Sequence, residues 1–294
     1  VVCKQFPRYS EYYGTIKESG IGLACEEAAR IILSENRPFS METAACDEEY
    51  EPSSEYDSSF ALQIFAAREA VFKILAKESL SIHEKLIVIL DMGSKIQQCI
   101  NTDEYDNIKS VVNDYLKEGI AHTLDETRNL SDSGQFEDIS LQQGIRQILY
   151  PYEEMEVLNP EWEVILKDII DSLFEQMSDE EYNILNEEFG TYMVSRAYEY
   201  RQLLEYLVFR YFAKSIYDYD FLGKCQMLVT NFFVIRQMDI IRWLDNHREY
   251  SFKDRMDVVH IFSRQVEYSE DNIENLYEDF IFDDIFKTDS LIAI

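Results

Sequence analysis

The chain has 294 residues, with 57 Asp and Glu against 27 Lys and Arg, a formal net charge of −30 and a sequence pI of about 4.4. Apolar residues make up 46% and charged residues 29%, the balance of a globular chain rather than a disordered or fibrous one. No apolar run approaches the roughly 18 residues that a spanning helix needs, and so negative a field repels phosphate backbones, so neither membrane insertion nor broad nucleic-acid binding is expected.

Turn chemistry sets the fold class. There are nine Gly and five Pro, and all five prolines (Pro7, Pro38, Pro52, Pro151, Pro160) lie in the first 160 residues. Beyond them only Gly190 and Gly223 remain, too little to turn a sheet every few residues. The expected fold is all-α, a multi-helix bundle with a small irregular N-terminal segment and no internal repeat. Five cysteines (Cys3, Cys25, Cys46, Cys99, Cys225) make no CxxC pair, so a reduced, cytoplasmic context is expected. The chain begins at Val1, without Met, and reads as a fragment of a longer protein.

In chain order, residues 1–40 read as short elements with a helix over Cys25–Leu33, whose two early glutamates suit a helix N-terminus. Residues 41–59 are acidic and Ser-rich and read as a linker or loop. A helical domain is expected over 60–294, with helices near 60–78, 81–100 and 104–118. A loop is expected at 125–138, followed by a shorter helix to Leu149. Pro151 and Pro160 bracket a connection, and helices follow at 161–176, 180–213 (broken near Gly190), 219–246, 252–268 and 270–286.

The 219–246 segment carries Leu222, Cys225, Val229, Phe232, Phe233, Ile240, Trp243 and Leu244 on one helical arc. Arg236 falls within that arc, with Asp239 one turn on, and an unpaired buried charge costs several kcal/mol, roughly. Two readings are open: Arg236 pairs with Asp239 or a facing helix as architecture, or its guanidinium lines a polar cavity and binds a carboxylate. In 252–268 the arc is Val258, Val259, Phe262 and Val266. His260, Arg264 and Glu267 share the other face, where an exposed Arg264–Glu267 ion pair is the plain expectation. Cys225, on the apolar stripe, reads as core.

Familiar catalytic signatures are missing. There is no GxGxxG after a strand, no GxxxxGK[ST], no GxSxG and no HExxH, and none of His83, His122, His247 and His260 follows a glutamate by three residues. A di-iron helix bundle is thereby removed.

Three stretches nevertheless carry a resemblance. The text Cys3-Lys-Gln-Phe-Pro-Arg8 precedes Leu23-Ala-Cys-Glu-Glu-Ala-Ala-Arg30; later come Glu205-Tyr-Leu-Val-Phe-Arg210, with Val234-Ile-Arg236, and Phe262-Ser-Arg-Gln-Val-Glu-Tyr268. In this order they resemble the flagellin lysine-N-methylase family, with Tyr268 where the family carries His. The resemblance implies a protein-lysine methyltransferase that uses S-adenosylmethionine, has flagellin as its partner, and carries a cysteine-rich N-terminal region thought to hold an iron–sulfur cluster. Cys3 and Cys25 match family cysteines and are the implied cluster ligands, close in space and needing further cysteines upstream; Cys46, Cys99 and Cys225 match no motif. Arg236 and Arg264 are candidates for binding the donor, and Glu267 and Arg264 for catalysis, as one buried cluster if their helices turn these faces inward. A lysine ammonium must lose its proton before attacking a sulfonium methyl, to a carboxylate or a phenolate. The alternative is a non-catalytic acidic helical scaffold or docking module that binds a basic protein partner.

Overall fold

Short polar residues ahead of apolar runs start most of the helices. Asp57, Ser81, Ser140, Asn159, Ser178, Asp220, Ser251 and Ser269 each accept a hydrogen bond from a backbone N–H of the first turn, which satisfies donors that the helix itself leaves free. At Ser81, Ser178 and Ser251 the bond is reciprocal, with Glu84, Glu181 and Asp254 reaching back to the cap. The computed structural model describes residues 6–45, 57–133 and 139–294.

The elements run β1 (Arg8–Tyr13), β2 (Ile16–Ile21), α1 (Glu26–Leu33), α2 (Ser58–Leu75), α3 (Ile82–Asn101), α4 (Ile108–Asp114), α5 (Ile120–Ser133), α6 (Leu141–Glu153) and α7 (Pro160–Ile169). They continue through α8 (Asp179–Met193), α9 (Ala197–Tyr211), α10 (Ser215–Asp218), α11 (Phe221–Asp245), α12 (Phe252–Phe262), α13 (Glu270–Phe282) and α14 (Thr288–Ala293). Among the described residues the protein is all-α apart from one antiparallel hairpin, β1–β2, in register from Arg8 opposite Ile21 to Tyr13 opposite Ile16. Among the described residues no helix is long and apolar enough to cross a membrane.

Helix α11 is the axis. Its sequence shows one apolar arc, yet the structure buries it nearly all round, Lys224, Gln226, Asn231, Gln237 and Asp239 included. Neighbours cover it on several sides: α3, α9, α12, α7, α6 and α13 all pack on it. Cys225 is core, as expected, and Gly93 of α3 makes room for it. A Cβ on Gly93 would lie 2.6 Å from the Cys225 Sγ.

The hairpin and α1 lie on the bundle. Glu18 of β2 accepts from the buried Arg68 of α2 at 2.7 Å, and Tyr13 is buried against Phe65 and Tyr217. Helix α1 packs on α9 and α12.

Four expectations are corrected. Residues 125–133, expected in a loop, belong to α5, which Thr123 ties to Asp91 of α3 at 2.6 Å and which local pairs such as His122–Glu126 support on its polar face. The interruption expected near Gly190 falls at Val194–Arg196, in a 3-10 turn. Pro151, expected at the edge of a connection, lies in the last turn of α6. Residues 263–267, read as a continuation of the preceding α-helix, instead form a wider π turn.

Candidate functional site

Helix α9 buries the polar side chains Glu199, Gln202, Glu205 and Tyr206. Gln202, Glu205, Tyr206 and Phe209 recur at helical spacing and line one cavity. Arg210, one turn beyond Tyr206, points its charge at the Ser263–Glu267 π turn.

There Glu267 is the acceptor of a buried cluster. Its Oε2 takes hydrogen bonds from the Tyr206 hydroxyl at 2.7 Å and the Tyr211 hydroxyl at 3.0 Å, and pairs with Arg210 Nε at 3.1 Å. Its Oε1 is buried with no hydrogen-bond partner. Burial, reinforced by the Glu267 charge, pushes both phenols well above the ordinary tyrosine value, so they donate and do not act as phenolate bases. Burial works against the Arg210 charge, but Tyr211 and Glu267 outweigh it and hold its pKa above the ordinary arginine value. The Arg210 guanidinium also lies over the Tyr9 ring, 4.4 Å from its centroid.

Segments 23–30, 205–210 and 262–268 of the family-like text meet here, whereas Arg236 of Val234-Ile-Arg236 does not. Leu23 N–H approaches the Tyr206 hydroxyl at 3.5 Å. Cys25 is the half-buried N-cap of α1, within electrostatic reach of Tyr268, whose ring meets Phe6 edge-on.

Beside this cluster, the hairpin, α1, residues 37–40 and α9 enclose a cavity of about 260 Å³ with aromatic walls of Tyr9, Phe39, Tyr206 and Phe209. Two of its polar groups, Gln202 and Glu205, offer acceptors, and the exposed Arg37, whose Nη2 donates to the Ile31 carbonyl, is the cation in its lining. Gln202 Nε2 is used by the Glu35 carbonyl, while Gln202 Oε1 is buried without a partner. Glu205 accepts two bonds from Arg201 Nη1 at 2.7 and 2.8 Å, yet burial raises its pKa above the ordinary glutamate value. A second cavity of about 680 Å³, between the hairpin turn and residues 39–45, shares Phe39, Ser40 and Phe209 with the first.

The expected site residues separate. Glu267 is buried in the cluster just described. Arg264 is exposed, and the plain Arg264–Glu267 pair does not form, because the π turn widens the winding that would have put them on one face. Arg236 does not pair with Asp239. Its Nη2 donates to the Asn186 carbonyl at 2.9 Å, and its guanidinium lies over Phe189 and lines a cavity on the opposite side of α9. Asp239 instead accepts from Arg255 Nη1 at 2.6 Å and from Tyr200 and Tyr250. Arg255 also bonds Glu199, which Arg196 holds in turn, deep between α9, α11 and α12. Arg236, Arg264 and Glu267 therefore form no single buried cluster. The residues that join Glu267 instead, Tyr206 and Arg210, were in the Glu205–Arg210 stretch already. Their signal was a run of charged and phenolic groups inside an apolar helix.

Cys3 and Cys46 lie outside the described residues. Among the described residues Cys25, Cys99 and Cys225 are free thiols, and no three His, Cys, Asp or Glu side chains are grouped to hold a metal ion. The described residues do not make up a four-ligand iron–sulfur site.

The family model of the FliB lysine N-methylase C-terminal domain matches residues 68–294, most of the chain, and the chain belongs to that family. No curated protein and no solved structure matches it.

Proposed function

Starting from that membership, we propose that the chain is the methyl-transferring partner of flagellin, moving a methyl group from S-adenosylmethionine to lysine side chains in the cytoplasm before export. The observation that carries the reading is the meeting of segments 23–30, 205–210 and 262–268 at one buried cluster beside a cavity whose α9 wall carries the Gln202 and Glu205 acceptors.

The smaller cavity suits an amine on an aliphatic stem. Gln202 Oε1 and the Glu205 carboxylate accept N–H bonds from the ammonium, and the aromatic walls favour its charge. Burial lowers a lysine pKa from its ordinary value of about 10.4. Glu205, a stronger base because it is buried, takes the proton. When bound, S-adenosylmethionine supplies a sulfonium methyl; the amine lone pair forms the new N–C bond as the C–S bond breaks and its electrons stay on sulfur. The adjoining cavity of about 680 Å³ is roomy enough for such a donor, and it shares the Phe39 and Phe209 walls. Glu267 is a positioning residue: through Tyr206 and Arg210 it holds the face of α9 that carries Glu205.

Tritium transfer from methyl-labelled S-adenosylmethionine to purified flagellin tests this. Donor-dependent label on lysine, lost in Glu205→Gln and Gln202→Leu chains that melt like the native one, is the expected result. Flagellin binding without any transfer would leave the acidic docking module as the better account.

A further inference from the structure

The cavity around Arg236 is separate from the site just assigned. Tyr200 lines it and Gln202 lines the other, and residues two apart on a helix face away from each other, so α9 stands between the two. Its volume is about 610 Å³, and its deep walls are the buried rings of Phe232, Phe233 and Tyr200.

Arg236 is the one arginine or lysine in that lining; His83 shares it, and burial, with the Arg236 charge, lowers the His83 pKa below the ordinary histidine value. Among the described residues no carboxylate neutralises it. One Nη2 bond to the Asn186 carbonyl and the Phe189 ring fix the guanidinium plane, and among the described residues its other N–H groups meet no acceptor. The Asp239 that the sequence offers as its partner is taken by Arg255. In a chain of net charge −30, a half-buried guanidinium held in place without a counter-ion is an unusual arrangement. A planar fork of free donors matches a carboxylate, and the rings above it match a flat apolar body. A dianionic phosphate fits less well: the lining holds no lysine and no second arginine, burial favours neutral His83, and the exposed Glu187 carboxylate shares the lining.

We propose that this cavity binds a small aromatic monocarboxylic acid, distinct from the methyl donor, with its carboxylate on Arg236 and its ring against Phe232 and Phe233.

The test is calorimetric titration of the whole chain with indole-3-acetate, alongside its uncharged amide, indole-3-acetamide. Saturable binding of the acid, with the amide weaker by roughly tenfold or more, is expected, since bonds to a charged group are the strong ones. Arg236→Gln should weaken the acid to the level of the amide while the unliganded melting temperature holds. The acid should also raise the native melting temperature as its concentration rises. Equal binding of acid and amide by the native chain, or no saturable binding, overturns the proposal without reference to any variant. Binding of S-adenosylmethionine that displaces the acid and is lost in Arg236→Gln would overturn it too, by giving the cavity to the donor.

Discussion

Arg255 with Asp239 and Glu199, and Arg210 with Glu267, are both guanidinium–carboxylate clusters buried against α9, yet they leave different atoms unsatisfied. In the first, two carboxylates meet Arg255 and Arg196, and the atom without a partner is Arg255 Nη2, in a guanidinium that lies 4.3 Å from the Tyr200 ring centroid. An aromatic face partly replaces a missing acceptor. In the second, the orphan is a carboxylate oxygen, Glu267 Oε1, for which no ring can substitute. Position separates them further. The Arg255 cluster ties three bundle helices together in the interior, whereas the Glu267 cluster sits where the N-terminal segment meets the bundle and shares Tyr206 with a cavity. Buried charge alone therefore does not distinguish the two clusters; the Glu267 cluster differs in lying at a cavity and in the segments that the family resemblance had singled out.

The largest effect should come from Asp239→Ala, which leaves Arg255 buried and half unpaired. A loss of about 3–5 kcal/mol in urea unfolding is expected, with methyl transfer falling only as the folded fraction falls. A loss below about 1 kcal/mol would show that Glu199 and the tyrosine rings suffice, and would weaken the contrast.

Glu267→Gln keeps the side-chain shape and removes the charge that Arg210, Tyr206 and Tyr211 share. We expect about 1–3 kcal/mol of lost stability and a fall in flagellin methylation of roughly tenfold or more. Full methyl transfer in this variant would put the Glu267 cluster in the same architectural class as the Arg255 one.

Glu205 sharpens the comparison through pH. Burial raises its folded-state pKa above the ordinary value of 4.5, so the folded chain binds its proton more tightly than the unfolded chain does. Its contribution to stability is then fully present below 4.5 and is lost as pH rises through the folded value. Unfolding free energies measured upward from that pH should fall more steeply for the native chain than for Glu205→Gln. Identical slopes would mean that Arg201 cancels the burial.

Arg264→Ala should do least. Arg264 is exposed and belongs to neither cluster, so melting temperature and S-adenosylmethionine affinity should both match the native chain. A drop in donor affinity at unchanged melting temperature would return Arg264 to the site.

Fold class and most helix positions were legible in the residues alone. Those follow from local chemistry: few turn residues, capping serines such as Ser81 and Ser251, and apolar residues at helical spacing. The family-like stretches also picked out segments that meet at the Glu267 cluster, and the burial of Cys225 followed from its stripe. Which charged group meets which was decided only by the tertiary structure. Arg236 and Asp239 lie three apart on one helix and invited a pair, but Arg255 on α12 reaches Asp239 first. Arg264 and Glu267 invited another, but a π turn separates their faces and hands Glu267 to Arg210, 57 positions earlier in the chain. Periodicity reports which face of a helix is apolar. It carries no information about the partner across the interface, or about one extra residue in a turn, and a charge pair depends on both.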